Sequence, residues 1–356
     1  MARQRGWQRW LLLLVLGYEG LGGLLGGALL VVAPDGHLMD MPAQMMRGTF
    51  RDFLIPGIIL TCLGALSVVA FFVVLRRRPA DWIAAGVALG GFAIWFFVEI
   101  VILSELHWLH AMWGLPVLAG IVAAVPLIPL RREAQRDLWL ACGILSSLLY
   151  GAMGLFVPAG WSGYDSASQV VSELSAVGAP TRPLWVVLGL LYTLLVIGFG
   201  WGVRMAAGRE RPRLRLSGAL IAIYGALGIA WTFAPMHLRT TLAAGGGTAS
   251  DTVHLVLAAI TEVLFLLALA FAAAALGRVF RAYSVVTCIA LFAFGALTFQ
   301  QSAGIATGSP TPLIGVWERI NIGLFLAWII VLAVTLLVRE HSRSTPTSFP
   351  GIAQPA

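Results

Sequence analysis

The 356-residue chain contains no lysine, so all 23 basic residues are arginine. Charge of either sign is scarce, at 11% of residues against about 25% in an average soluble domain, and 59% of residues are hydrophobic. No polar stretch is long enough to form a soluble domain. Cysteine is equally sparse: Cys62, Cys142 and Cys288 lie inside apolar runs with no CxxC or paired spacing, which excludes a disulfide framework or a cysteine metal cluster. There is no HExxH, no GxSxG elbow and no phosphate-binding glycine loop. A nucleotide partner is therefore not expected. No internal repeat relates one part of the chain to another, which argues against an inverted-repeat transporter.

What is present is apolar sequence. Ten segments, at roughly 11–33, 53–75, 82–104, 108–130, 138–157, 184–203, 215–234, 255–277, 283–302 and 318–338, each reach the ~20 residues that a helix needs to cross a hydrocarbon core. The fold class expected is all-α, a polytopic bundle of ten spans. The first span follows an arginine-rich start, but its apolar run is too long for a signal peptide and has no cleavage pattern, so it is read as uncleaved.

The arginines alternate with the spans. Eighteen fall before the first span and after the second, fourth, sixth, eighth and tenth; Arg47, Arg51, Arg182, Arg239 and Arg319 fall on the other side. Positive charge near span ends is retained in the cytoplasm. Both termini are thus expected to be cytoplasmic, in the cytoplasmic membrane. The acidic side chains lean the other way, with Asp35, Asp40, Asp52, Glu105, Asp165, Glu173, Asp251 and Glu318 outside. The partners implied are the bilayer and its anionic lipids at the cytoplasmic face. The basic residues form no continuous soluble patch, so nucleic acid is not a partner.

The charged run 131–137 reads as a cytoplasmic linker between a glycine-rich four-span part, 1–130, and a six-span part, 138–338. Residues 339–356 read as a disordered tail. In span one, Gly22, Gly23, Gly26 and Gly27 form two overlapping small-xxx-small pairs, a signature of close helix packing. Between spans three and four, His107 and His110 sit among Leu106, Trp108 and Leu109 and suit a membrane interface.

The second part carries the more specific signals. Residues 164–183 read YDSASQVVSELSAVGAPTRP and lead into Leu184-Trp185; Phe233-Ala234-Pro235, His237, His254, Trp317-Glu318-Arg319-Ile320 and Trp328 follow. Together these resemble the bacterial and archaeal membrane family called domain of unknown function 998, over about 138–338. The resemblance implies a six-span integral membrane unit and no established reaction.

Ser166-x-x-Gln169 fits a capping box, so a short amphipathic helix is expected from Ser166, stopped by Gly178 and Pro180. It would align Ser168, Ser172 and Ser175 in one hydroxyl stripe. Three function classes stay open. In the first, the outward polar cap binds a lipid headgroup or an envelope partner, with Asp165, Arg182, Arg239, Glu318 and Arg319 as candidate binding residues. In the second, His237, His254 and Asp251 hold zinc or another divalent metal for an outward-facing hydrolase. The catalytic candidates there are Ser168, Ser172, Glu173 and Glu262. In the third, Glu262 and Glu99 couple transport to protons. Glu262 lies within hydrocarbon depth and should face the protein interior; pairing with Arg319 or Arg182 would satisfy it.

Overall fold

The computed structural model describes residues 6–46, 48–103, 107–129 and 131–344. Arg3, Arg5, Arg47, Glu105 and the tail beyond residue 344 lie outside the described residues. Among the described residues, ten helices are long and apolar enough to cross a membrane, four in the first part and six in the second. Among the described residues the β structure is limited to one isolated bridge, Val177–His237. The chain divides into two compact units at the Arg131–Arg132 peptide.

In the first unit, α1 (Gly6–Val32), α2 (Leu54–Leu75), α3 (Asp81–Leu103) and α4 (Trp108–Ala124) form a ring, with α4 returning to pack on α1. The tightest pair is α1 with α2. Gly23 of the small-xxx-small pattern packs on Gly64, and Gly27 packs on Thr61. The two backbones approach so closely that the Ser67 hydroxyl donates to the Leu16 carbonyl across the pair at 2.9 Å. Gly22 instead accommodates the Trp113 ring of α4. Arg9 ties the far end together, donating to the Val74 carbonyl at 2.8 Å and pairing with Asp81 at 2.6 Å. His107 and His110 cap the start of α4: the His110 ring accepts from the His107 N–H at 3.0 Å.

In the second unit, α5 (Arg132–Phe156), α6 (Arg182–Ala207), α7 (Pro212–Phe233), α9 (Ala249–Ala275), α10 (Arg278–Thr307) and α11 (Ile314–Ser344) follow one another around a closed ring, and α11 packs on α5. A five-residue helix, α8 (Arg239–Ala243), sits between α7 and α9. Two sequence expectations need correction here. Residues 132–137 are not a linker but the first turns of α5. Glu133, Ala134, Gln135 and Arg136 are good helix formers, and Glu133 complements the helix N-terminus. Residues 339–344 are the last turns of α11 and not tail, because no helix breaker intervenes before Pro346.

The outside of the bundle is apolar. Leu155 and Phe156 are each 75% exposed and Phe299 is 78% exposed. Large side chains this open on helices whose backbones are internally bonded are what a lipid-facing surface requires.

Candidate functional site

Two loops and the first turn of α11 build a cap over one end of the six-helix ring. The loop after α5 holds two 3-10 turns, Val157–Gly160 and Val171–Ser175. The amphipathic helix expected from Ser166 does not form, because other partners take its carbonyls. Arg319 donates to the Ser166 and Gln169 carbonyls at 2.8 and 3.1 Å. Arg239 and Thr311 both donate to the Ser168 carbonyl at 2.9 Å, and the Tyr164 hydroxyl donates to that of Val170 at 2.9 Å. A helix needs those acceptors for its own ladder.

The cap residue is Asp165 and not Ser166. Its carboxylate accepts from the Ala167 N–H at 3.1 Å and the Ser168 hydroxyl at 2.5 Å. The Ser168 hydroxyl, then the Ala167 N–H, hold this exposed carboxyl below its usual range. The serine stripe is therefore split.

Glu173 is the centre of the cap and is 0% exposed. Arg239 clamps both its oxygens, Nε at 2.9 Å and Nη2 at 2.6 Å. The Gln169 amide adds a bond at 2.7 Å and the Val170 N–H one at 3.2 Å. The Glu173 bonds raise the Arg239 guanidinium above its usual range. This carboxylate is fully engaged, as a buried charge must be. Around it, Arg182 donates to the Ser175 and Thr232 carbonyls, and Glu318 accepts from the Val171 N–H. Arg319 also bonds the Tyr164 hydroxyl at 2.6 Å and lies 5.6 Å from the ring centroid. Burial pushes that phenol up to about 12, against the lowering effect of Arg319. Asp165, Arg182, Arg239, Glu318 and Arg319, the binding candidates from sequence, thus all bond within the cap.

Gly315 seats the cap on α11. Its N–H donates to the Ala167 carbonyl at 2.9 Å, and a Cβ there would run into the Gln169 and Ser166 carbonyl oxygens. Gly315→Ala is expected to cost about 1–3 kcal/mol. Amide hydrogen exchange at Val170, Val171 and Glu173 should accelerate, while exchange in the lower half of α6 stays unchanged.

The metal candidates separate. His237 and Asp251 do meet, ring to carboxylate at 2.8 Å, and Asp251 also accepts from the His237 and Thr248 N–H groups at 2.7 and 2.8 Å. Asp251 is thus the N3 partner in the capping box of α9. His254 is buried and its Nδ1 bonds the Ala234 carbonyl at 2.8 Å. Its ring stands edge-on to Trp231, with centroids 4.6 Å apart. Among the described residues, no three His, Cys, Asp or Glu side chains stand together as a metal-binding set. His237, Asp251 and His254 as placed do not fit zinc.

Beneath the cap lies a cavity of about 260 Å³ between α5, α6, α7, α9 and α11. Val171, Ser172, Ser175 and Glu318 form its roof. Its floor is an aromatic stack: Phe265 and Phe325 lie parallel with centroids 3.6 Å apart, and Tyr224 meets Phe265 edge-on at 4.7 Å. Tyr150, Trp185, Tyr192 and Trp231 line the walls, with the Tyr192 and Tyr224 hydroxyls bonded at 2.6 Å. Thr193, Thr232, Thr261, Glu262 and Asn321 complete the polar lining.

The pairing of Glu262 with Arg319 or Arg182 is not found, since both arginines are occupied by backbone carbonyls. Glu262 lies near Asn321 instead, both beside Gly295, and Asn321 is anchored by donating to the Leu291 carbonyl at 2.7 Å. Glu262 Oε1 and Thr261 Oγ1 are buried without hydrogen-bond partners.

Residues 144–335 match the family described as Protein of unknown function (DUF998). The chain belongs to the DUF998 family. No curated protein and no solved structure matches it. Every residue lining the cavity falls within the matched range of the DUF998 unit, so the cavity is a feature of that unit's own sequence. The first unit holds a separate cavity of about 390 Å³, lined by apolar side chains of α1, α2, α3 and the 33–53 loop together with Glu99. Apart from Glu99, nothing there distinguishes it from space that acyl chains fill.

Of the catalytic candidates, Ser172 and Glu262 line the DUF998 cavity, whereas Ser168 and Glu173 belong to the cap. Tyr150, Tyr192, Tyr224 and Asn321 were not among the residues singled out from sequence. Their signal is weak, for single polar residues in apolar helices acquire meaning only when the helices converge.

Proposed function

We propose that the DUF998 unit binds a small amphiphile or lipid headgroup in the capped cavity and performs no chemistry on it. The carrying observation is the pair of unpartnered buried groups, Glu262 Oε1 and Thr261 Oγ1, lining one cavity. Buried polar atoms without partners are costly, and a ligand that bonds them offsets that cost. The volume of about 260 Å³ lies just below the range of drug-sized ligand pockets, roughly 300–1,000 Å³, and suits a headgroup better than a whole lipid. A hydrolytic role has less support. Ser172 lines the cavity, but no histidine lines it beside Ser172. In this proposal the cap faces outward from the cytoplasmic membrane, as the arginine distribution supports.

Gly189 lines the cavity, and a Cβ there would meet no heavy atom within 4 Å. Gly189→Leu should therefore occupy space without disturbing the helices. Polar-lipid extract is expected to raise the thermal midpoint of delipidated wild-type protein by about 5–10 °C at a hundredfold excess over Kd. The variant should show little of that rise. Equal stabilisation of both proteins would place the lipid effect on the outer surface and contradict the proposal.

A further inference from the structure

We infer that the headgroup held in this cavity is cationic, an alkylammonium carried by a membrane lipid or by a free amphiphilic amine, seated between Glu262 and the aromatic walls. This rests on the binding reading above and specifies its ligand class.

The lining contains two carboxylates, Glu262 and Glu318, and no arginine, lysine or histidine. Arg182, Arg239 and Arg319 of the cap donate to backbone carbonyls, to Glu173 and to the Tyr164 and Thr311 hydroxyls, none of them a lining carboxylate. An anionic ligand would therefore meet like charge, and no cation, in the lining itself. Glu318 already accepts from the Val171 N–H. Glu262 differs: one oxygen faces no donor, and the amide of neighbouring Asn321 is committed to the Leu291 carbonyl. What this carboxylate lacks is a donor carrying positive charge.

The rest of the lining agrees. Tyr150, Tyr192, Tyr224 and Phe265 form a continuous aromatic chain, with successive centroids 4.9, 6.5 and 4.7 Å apart. Ring faces attract an ammonium through their quadrupoles, most strongly where water is excluded. Thr261 Oγ1 supplies a second acceptor one residue from Glu262. Leu190, Ile322 and Leu326 leave an apolar path for an attached chain.

The test is calorimetric titration of the full-length protein in detergent with n-octylamine and with n-octanol, its neutral counterpart of equal length. Octylamine is expected to bind at least tenfold more tightly. Glu262→Gln, which keeps the side chain's size and removes its charge, should weaken octylamine about tenfold to a hundredfold and leave octanol unchanged. If that variant does not fold, Thr261→Val removes an oxygen that has no partner and should weaken octylamine about threefold to tenfold. Nanodiscs of phosphatidylglycerol with and without phosphatidylethanolamine then identify the source. Competition by phosphatidylethanolamine assigns a lipid headgroup and its absence a free amine, and each supports the ammonium assignment. Equal binding of octylamine and octanol, unaffected by Glu262→Gln, overturns the ammonium assignment alone. Failure of both probes to bind overturns the binding reading as well.

Discussion

Arg239→Ala is expected to destabilise the DUF998 unit by about 3–5 kcal/mol, the largest single effect in the cap. The reason is what it leaves behind. Glu173 is completely buried, and Arg239 supplies two of its four hydrogen bonds and the only cation that contacts it among the described residues. Removing the guanidinium strands a carboxylate in a site closed to water and leaves the Ser168 carbonyl with Thr311 as its remaining donor. A cycle with Glu173→Gln separates the two contributions. Glutamine still accepts from Gln169 or the Val170 N–H and carries no charge, so Glu173→Gln in the Arg239→Ala background should recover about half the loss. Detergent or thermal unfolding of the single and double variants measures this. If Arg239→Ala costs under about 1 kcal/mol, the pair behaves as a solvated surface bridge and the cap is looser than its geometry implies.

The second large effect falls on the first unit. Gly64→Val should cost about 3 kcal/mol or more, at or beyond the upper end of overpacking substitutions. A Cβ at Gly64 would lie 2.5 Å from the Leu24 nitrogen and 2.7 Å from the Gly23 carbonyl carbon. Those atoms are backbone, so no rotamer change relieves the clash and α1 must move away from α2. In lipid this close packing is much of what drives helices together, since apolar transfer contributes nothing between them. Gly86 and Gly90 on α3 provide the control, because a Cβ at either meets nothing within 4 Å. Gly86→Ala is expected to be neutral or to stabilise by about 0.5–1 kcal/mol through helix propensity. Comparable losses at Gly64 and Gly86 would mean that helix propensity rather than packing governs.

The architecture was largely legible because a bilayer leaves few alternatives: ~20-residue apolar runs must be helices. The errors came at polar helix ends. Apolar-run reading misses the first turns of α5 at Arg132–Asp137 and the last turns of α11 beyond Arg339, since both are helical without being apolar. The segment after Tyr164 was misread for a different reason. Its local pattern favours a helix, but Arg239, Thr311 and Arg319, 71, 143 and 150 or more residues away, capture its carbonyls. Local propensity gives way to tertiary hydrogen bonds of that kind.

The candidate site was legible in part. Glu262 stands out in any reading, being ionisable at hydrocarbon depth. Its neighbour Asn321 and the walls from Tyr150, Tyr192 and Tyr224 do not, since they come from four different helices. Asp251 and His237, two of the three metal candidates, meet, but the meeting caps α9, and no metal-binding group of three such side chains is found among the described residues.

Whether the cavity is a ligand site is tested most directly by a density map of the DUF998 protein in nanodiscs formed from its native membrane lipids. The structure predicts continuous non-protein density beneath Ser172 and Ser175, ending within hydrogen-bond distance of Glu262. That density should be lost in Gly189→Leu. A cavity collapsed by inward rotation of Tyr192 or Phe265, with Glu262 bonded to a protein donor in the absence of any ligand, would contradict the account.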